Sequence, residues 1–100
     1  MSFVDETHST APVNMYGQTK AEAETRVLEV NPEALVIRSN FYGWGPSYRK
    51  SFSDFIIGGI RAGRDLTLFQ DVTYTPILVE AAVEAVHELR GLGAIGVFNL

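Results

Sequence analysis

A tyrosine and a lysine within residues 15–22, Tyr16 and Lys20, have types and a spacing suited to proton transfer. Residues four apart on a helix lie on the same face, so the phenol and the ammonium would be neighbours. A lysine charge beside a tyrosine favours the phenolate and lowers the pKa of the phenol from about 10 towards neutrality. Such a tyrosine can exchange a proton with a substrate oxygen. The same spacing also arises readily by chance between surface residues. The surrounding elements must therefore show whether the pair is a catalytic pair or only a surface pair.

A helix is predicted to carry this pair. Asn14 is a suitable N-cap, the residues up to about Val30 are mostly good helix formers, and Asn31 followed by Pro32 is a stop signal. The apolar run at 34–37 shows no alternation, which is typical of a strand covered on both faces in a parallel sheet. The pair would therefore stand on a helix that leads into a buried strand.

Residues 39–49 combine glycines with aromatic side chains and are predicted to form a loop. The carboxyl end of a buried strand in an α/β sheet is where ligands bind, which favours a binding loop. The alternative is that these aromatic residues only cover the end of a small core.

The remainder is predicted to alternate helices and short strands, which gives an α/β chain. We expect a helix from Ser51 or Ser53 to Ala62, stopped by Gly63, and a second helix over about 79–90. Short strands are expected at 66–69 and 97–100, with an extended segment at 75–78. Residues 91–96 fit G-x-G-x-x-G, but they follow a helix, so they predict a helix-to-strand turn and not a dinucleotide site.

Composition excludes several classes of function. A net charge of −4 argues against a non-specific nucleic-acid binder, and the lack of cysteine excludes disulfides and thiolate metal sites. His8 and His87 have no histidine or carboxylate partner at ligand spacing, so no metal site is predicted. No apolar run approaches ~20 residues and the N-terminus does not resemble a leader, so a cytoplasmic location without membrane contact is expected.

The order of several segments resembles one family, the extended short-chain dehydrogenase/reductases, and within it the dTDP-4-dehydrorhamnose reductase-like proteins. The segments that carry this resemblance are residues 3–6, 12–24, 36–45, 51–57, 68–72, 74–79 and 96–100. The resemblance implies an NAD(P)H-dependent reductase of a nucleotide-linked 4-keto sugar. Tyr16 would be the general acid that protonates the carbonyl oxygen, and Lys20 would lower the tyrosine pKa and bind the nicotinamide ribose.

The resemblance also implies binding residues in the later segments. The residues expected near the cofactor are Tyr16, Lys20, Ser39, Asn40 and Phe41. Those expected at the sugar nucleotide are Asn40, Tyr42, Trp44, Arg49 and Phe52, with the segments around Phe52 and at 71–76 shaping the pocket. Arg49 and Lys50 could meet a diphosphate through charge-assisted hydrogen bonds, or form only a solvated charge pair.

Family members begin with a glycine-rich phosphate loop that opens a Rossmann sheet, and this sequence lacks one. We therefore expect one incomplete domain, a partial Rossmann-type segment with about three helices and three to four short strands. Residues 1–45 would hold the catalytic helix and the strand and loop after it, and 46–100 the substrate-binding part. The chain is expected to be inactive alone and to form a homo-oligomer or need a partner chain. The alternatives are a non-catalytic binding or regulatory module, or a self-associating product without a ligand.

Overall fold

The computed structural model describes residues 3–100, and these residues form an α/β chain. Their three helices and four short strands follow in the order α1 (Met15–Val30), β1 (Leu35–Arg38), β2 (Asn40–Tyr42), α2 (Phe52–Arg61), β3 (Pro76–Leu78), α3 (Val79–Gly91) and β4 (Gly96–Asn99). The strands form two separate parallel pairs, β1 with β4 and β2 with β3. The predicted class and number of elements are confirmed.

Helix α1 begins and ends where its sequence signals predict. The Asn14 side chain accepts a hydrogen bond from the backbone N–H of Gly17 at 2.8 Å, which satisfies one of the donors left free at a helix start. At the other end, Asn31 has an extended backbone because it precedes Pro32, whose ring disfavours the helical region.

Strand β1 pairs in parallel with β4, with Leu35 opposite Gly96 and Arg38 opposite Asn99. All four residues of β1 are half-buried. The connection from α3 into β4 uses Gly93 and Gly96 at φ +71° and +88°, a region that glycine occupies without strain. The glycine pattern at 91–96 is therefore a helix-to-strand turn, as predicted.

The prediction of an uninterrupted loop at 39–49 was wrong. Residues Asn40–Tyr42 form β2, which pairs with β3 in the register Asn40 to Pro76 and Tyr42 to Leu78. The partner strand lies more than thirty residues later in the chain, so no local pattern announced the pairing. The aromatic residues of this segment thus start on a strand and continue into a loop.

The short strand predicted at 66–69 does not form. The Leu66 side chain lies over Gly59 of α2, so close that a methyl group at that glycine would overlap it. Leu66 is thereby used for packing against a helix, and in the described part of the chain the segment has no ladder partner. An apolar run alone does not make a strand without a neighbouring edge.

Helix α2 has a complete capping box. The Ser51 hydroxyl accepts from the backbone N–H of Asp54 at 3.1 Å, and the Asp54 carboxylate accepts from the backbone N–H of Ser51 at 2.8 Å. The chain leaves the helix through Gly63, at φ +61°. Both predicted boundary signals are confirmed.

The chain divides into two compact units. The first unit comprises the N-terminal segment through Arg38 together with Val86–Leu100, and the second comprises Ser39–Ala85. Among residues 3–100, Ala82 is the one hydrophobic residue that is buried, so the other apolar side chains keep some exposure. None of the helices within this range has the length and apolar character needed to cross a bilayer.

Candidate functional site

Tyr16 and Lys20 lie side by side on α1 in the first unit. The Lys20 Nζ is 5.5 Å from the centroid of the Tyr16 ring, which is within cation–π range. Tyr16 is 71% exposed, so its side chain is open to a ligand. The predicted contact between the phenol ring and the ammonium is confirmed, and their role in catalysis stays a prediction.

A cleft of about 360 Å³ opens beside α1 in the same unit. Lys20 and Glu24 line it from the helix, Arg38 and Asn99 from the ends of the two strands, and several N-terminal residues complete it. The lining includes Lys20 but not Tyr16. Lys20 therefore stands between the exposed phenol ring and an open, charged cleft.

A two-pronged ion pair ties α1 to β1. The Arg38 Nε donates to both Glu24 carboxylate oxygens at 3.0 and 3.1 Å, and its Nη2 donates to Glu24 Oε2 at 2.7 Å. The side chains are 28% and 22% exposed, and the hydrogen bonds to Glu24 raise the pKa of Arg38 above its ordinary value. Because Glu24 lies one turn beyond Lys20 on the same face, the pair fixes which face of α1 turns towards β1.

Sequence reasoning gave Arg38 and Glu24 no role. The available signal was weak: an arginine closes an apolar strand, and a glutamate follows Lys20 at helical spacing. The sequence pattern does not show that Glu24 and Arg38, which are 14 residues apart, form an ion pair.

A second anchor joins the N-terminal segment to the end of β4. The backbone N–H of Asn99 donates to Glu6 Oε1 at 2.8 Å, and the Asn99 side-chain amide donates to the Val4 carbonyl at 3.4 Å. The bond from Asn99 is the main cause that lowers the pKa of Glu6. This anchor holds one wall of the first unit's cleft.

The structure gives His8 an aspartate neighbour, which sequence reasoning had not considered as a hydrogen-bond partner. Its Nδ1 lies 3.1 Å from Asp5 Oδ1, three residues before it, in a turn where Thr7 also donates to the same carboxylate. The side-chain hydrogen bond from Thr7, followed by that from His8, lowers the pKa of Asp5. Within residues 3–100 no group of three or more His, Asp or Glu side chains is placed to hold a metal ion.

The second unit contains a cleft of about 530 Å³, called here the aromatic cleft. Five residues predicted to contact the cofactor or the substrate line it together: Asn40, Phe41, Tyr42, Trp44 and Phe52. They come from β2, the loop after it and the start of α2. The structure thus brings together residues whose joint position the sequence alone did not define.

Two other predicted residues lie outside the aromatic cleft's lining. Ser39 is half-buried and its hydroxyl donates a long hydrogen bond, 3.5 Å, to the Asn40 carbonyl. Arg49 is exposed on the loop, where its backbone N–H donates to the Pro46 carbonyl at 3.0 Å. Its exposure fits both interpretations of Arg49, a solvated charge and a contact to a diphosphate.

Sequence reasoning missed part of the lining. The additional residues are Gly43, Ser51, Ser53, Phe69, Val72, Tyr74 and Val79. Of these, Ser51 and Ser53 flank Phe52, and Val72 and Tyr74 fall within 71–76, the two places expected to shape the pocket. Phe69 was assigned to a strand that does not form. In the structure Phe69 is 85% exposed and lies outside any helix or strand, and no local sequence pattern indicated this.

Asp54 holds the loop between β2 and α2. Its Oδ2 accepts from the backbone N–H groups of Gly45 and Ser51, both at 2.8 Å, and from the Ser51 hydroxyl at 2.9 Å. The backbone hydrogen bonds from Ser51 and then Gly45 are the main causes that lower the pKa of Asp54. A single carboxylate oxygen therefore joins the loop to the helix start.

Comparison with known proteins identifies the family. Residues 2–93 match the family described as the RmlD substrate binding domain. The chain belongs to this family. The predicted resemblance to dTDP-4-dehydrorhamnose reductase-like proteins is thereby confirmed.

A curated relative from Haloferax volcanii agrees with this result. Its name is "Probable low-salt glycan biosynthesis reductase Agl14", and it is 33% identical over 101 residues, an alignment that covers 98% of this chain and 34% of the relative. The chain thus spans about a third of the length of the curated relative that it matches. No solved structure matches the chain significantly.

Proposed function

We propose that the chain supplies the proton donor and the sugar-nucleotide pocket of an NAD(P)H-dependent reductase that acts on a nucleotide-linked 4-keto sugar. The observation that supports this most strongly is the Tyr16–Lys20 contact on α1, in a chain of the RmlD substrate binding domain family. A relative named as a glycan biosynthesis reductase supports the same class of reaction. The domain would be of the Rossmann type, with 1–45 as its catalytic part and 46–100 as its substrate-binding part.

In the proposed reaction Tyr16 is the general acid. NAD(P)H, when bound, supplies the hydride that reduces the carbonyl carbon of the substrate. The Tyr16 hydroxyl gives its proton to the carbonyl oxygen, which leaves the product alcohol and a phenolate. The Lys20 ammonium lies beside the ring and stabilises that phenolate by its charge.

The residues of this chain fit the nicotinamide end of the cofactor. Lys20 offers an ammonium donor and Tyr16 a hydroxyl on one exposed face, which suits the two hydroxyls of a ribose. Ser39, Asn40 and Phe41 are proposed to complete the contacts to the nicotinamide.

The cofactor's phosphates do not fit the glycine turn at 91–96. The backbone N–H of Gly93 already donates to the Arg90 carbonyl, and that of Gly96 to the Ala34 carbonyl. A pyrophosphate needs free N–H groups at a helix start, so these amides are not available to it. The proposed activity therefore requires a phosphate loop from other sequence, and we propose that the chain alone does not turn over substrate.

The aromatic cleft is the proposed site of the sugar nucleotide. Tyr42, Trp44 and Phe52 offer flat apolar surface for the base, and Asn40 offers an amide for the sugar or the phosphates. Arg49, exposed on the adjoining loop, is proposed to reach the diphosphate.

Partners of the chain are proposed on the same basis. In the described part of the chain, strand β1 (Leu35–Arg38) pairs only with β4. Its other edge is therefore without a neighbouring strand there. A strand edge of this kind invites pairing with another chain. We propose either a homo-oligomer or a complex with a polypeptide that carries the phosphate loop.

The proposal is tested by measuring binding and turnover separately. Thymidine diphosphate is titrated into the chain, and NADPH oxidation is followed in the complemented enzyme, meaning this chain together with a polypeptide that supplies the phosphate loop. Binding together with reduction of a dTDP-linked 4-keto sugar is the expected result. Binding without turnover in the complemented enzyme would favour a non-catalytic module. The absence of both binding and turnover would contradict the reductase and the non-catalytic module alike.

A further inference from the structure

The loop that carries Trp44 is fixed on both sides of that residue. On one side, the backbone N–H of Gly43 donates to the Ser53 hydroxyl at 3.3 Å, and the Gly43 carbonyl accepts from the Ser51 hydroxyl at 2.6 Å. On the other side, the backbone N–H of Gly45 donates to Asp54 Oδ2 at 2.8 Å. Trp44 therefore sits between two backbone positions that are both bound to the start of α2.

These contacts exceed what a helix cap requires. A capping box needs only the reciprocal bonds between Ser51 and Asp54. Here the same carboxylate oxygen also accepts from Gly45, and the same hydroxyl also reaches Gly43. Since a serine hydroxyl has one hydrogen, it donates either to the Gly43 carbonyl or to Asp54 at any moment.

The close approach of the loop to the helix start depends on Gly45. A methyl group at this position would overlap the Arg49 carbonyl oxygen and lie 2.7 Å from the Ser51 nitrogen and 3.0 Å from Asp54 Oδ2. The loop is thus folded back on itself directly against the carboxylate.

The fixed residue lines the aromatic cleft. Trp44 is 62% exposed and is one of the residues that line the cleft, together with Tyr42 and Phe52. An aromatic residue on a free loop would lose backbone conformational entropy on binding, whereas on a fixed loop that backbone entropy has already been lost. Because the loop is fixed in the free protein, stacking of Trp44 on a planar ring costs less conformational entropy.

We infer that Asp54, with Ser51 and Ser53, positions Trp44 at the aromatic cleft to stack on the base of a nucleotide ligand. This inference rests on the proposed function, because it takes a nucleotide as the occupant of the cleft. Asp54 itself is a positioning residue that acts through the loop. It determines affinity for the base and not for the phosphates.

The test uses Trp44, the single tryptophan of the chain, as its own reporter. Acrylamide quenching of its fluorescence is measured in the chain, in Asp54→Ala and in the matched control Asp65→Ala, which removes an exposed carboxylate elsewhere in the second unit. We expect Asp54→Ala to raise the quenching constant about twofold and the Kd for thymidine diphosphate about tenfold, a loss typical of released preorganisation. Asp65→Ala should change neither.

Two further arms separate positioning from folding. Asp54→Asn keeps a carbonyl oxygen that can accept from Gly45, so it should restore most of the protection of Trp44 and most of the affinity. Binding of inorganic pyrophosphate should be the same in all variants. Far-ultraviolet circular dichroism shows whether Asp54→Ala loses helix. If it does, Asp54→Asn is compared with Ser53→Ala instead, and Ser53→Ala is expected to raise the quenching of Trp44 more than Asp54→Asn does.

The outcomes distinguish this inference from the proposed function. Unchanged quenching of Trp44 in Asp54→Ala, or in Ser53→Ala when that pair is used, overturns the inference whatever the ligand results are. Increased quenching with no binding of thymidine diphosphate by any variant supports the fixed loop but removes a nucleotide as its occupant. An equal loss of pyrophosphate binding would also overturn it, because positioning of an aromatic ring should not affect a ligand without a base.

Discussion

The two units hold their functional residues in different ways. In the first, the Tyr16–Lys20 pair stands on one regular helix whose orientation is fixed by charge, through the bonds of Arg38 to Glu24. In the second, the aromatic cleft gathers residues from 40 to 79, and hydrogen bonds between backbone and short side chains fix its loop. Groups proposed for chemistry thus lie on one helix, and groups proposed for recognition come from a strand, a loop and a helix start that lie apart in the sequence.

The largest effect is expected from Lys20 in the first unit. Lys20→Met removes the charge beside the Tyr16 ring but keeps a stem of similar length, so turnover by the complemented enzyme should fall about 10²-fold, as when one electrostatic contact to a developing charge is lost. The measurement is the rate of NADPH oxidation at saturating substrate. Lys50→Met, on the second unit's loop, is the control, and equal losses in both would break the assignment of chemistry to the first unit.

The next effect concerns recognition in the second unit. Trp44→Ala removes the largest flat surface of the aromatic cleft, and a stacked base is worth about 1–3 kcal/mol, so the Kd for thymidine diphosphate should rise about tenfold or more. Isothermal titration calorimetry measures it. Tyr48→Ala removes an aromatic side chain that lies outside the cleft lining, and a similar loss there would show that the cleft is not the site.

The partly buried ion pair between Arg38 and Glu24 should contribute more to stability than the exposed pair between Arg26 and Glu22. Glu24→Gln breaks the partly buried contact with Arg38, and we expect a loss of about 1 kcal/mol in the free energy of unfolding. Glu22→Gln breaks an exposed pair with Arg26 on the same helix and should cost about 0.3–0.5 kcal/mol. Urea denaturation compares the two, and a larger loss in Glu22→Gln would contradict the anchoring of α1.

The smallest effect is a pH dependence in the second unit. Hydrogen bonds from Ser51 and Gly45 lower the pKa of Asp54 below its ordinary value of about 3.8, and the nearby Lys50 charge adds to this. The contacts are therefore fully present above that value and are lost as the pH falls through the lowered pKa. Quenching of Trp44 should rise in that acidic range, and Asp54→Asn should remove this step. If quenching of Trp44 in Asp54→Asn rose by the same amount over the same pH range, the titrating group would be another carboxylate and not Asp54.

The contrast between the units explains which features the sequence could predict. Helix α1, its Asn14 cap and the proximity of Tyr16 to Lys20 all follow from spacing within a few residues, and they were predicted correctly. The glycine turn before β4 was predicted for the same reason, since its position after a helix is a local property. Local rules are sufficient where the interacting groups lie within one or two turns of each other.

The remaining features depend on contacts between distant segments. Strand β2 exists because Asn40–Tyr42 meets Pro76–Leu78, and the strand expected at 66–69 is absent because Leu66 packs on Gly59 instead. The Arg38–Glu24 pair belongs to the same group. The aromatic residues of the cleft could be named from the family resemblance, but their assembly around one cavity could not be derived from spacing.

The measurement that tests the central claim most directly is the single-turnover rate of hydride transfer in Tyr16→Phe. The complemented enzyme is saturated with NADPH and the dTDP-linked 4-keto sugar, and Tyr48→Phe serves as the control because it loses the same hydroxyl from an exposed tyrosine. The account predicts a fall of about 10²–10⁴-fold in Tyr16→Phe with binding of both ligands retained, and no change in Tyr48→Phe. An undiminished rate in Tyr16→Phe would contradict the role of Tyr16 as the general acid.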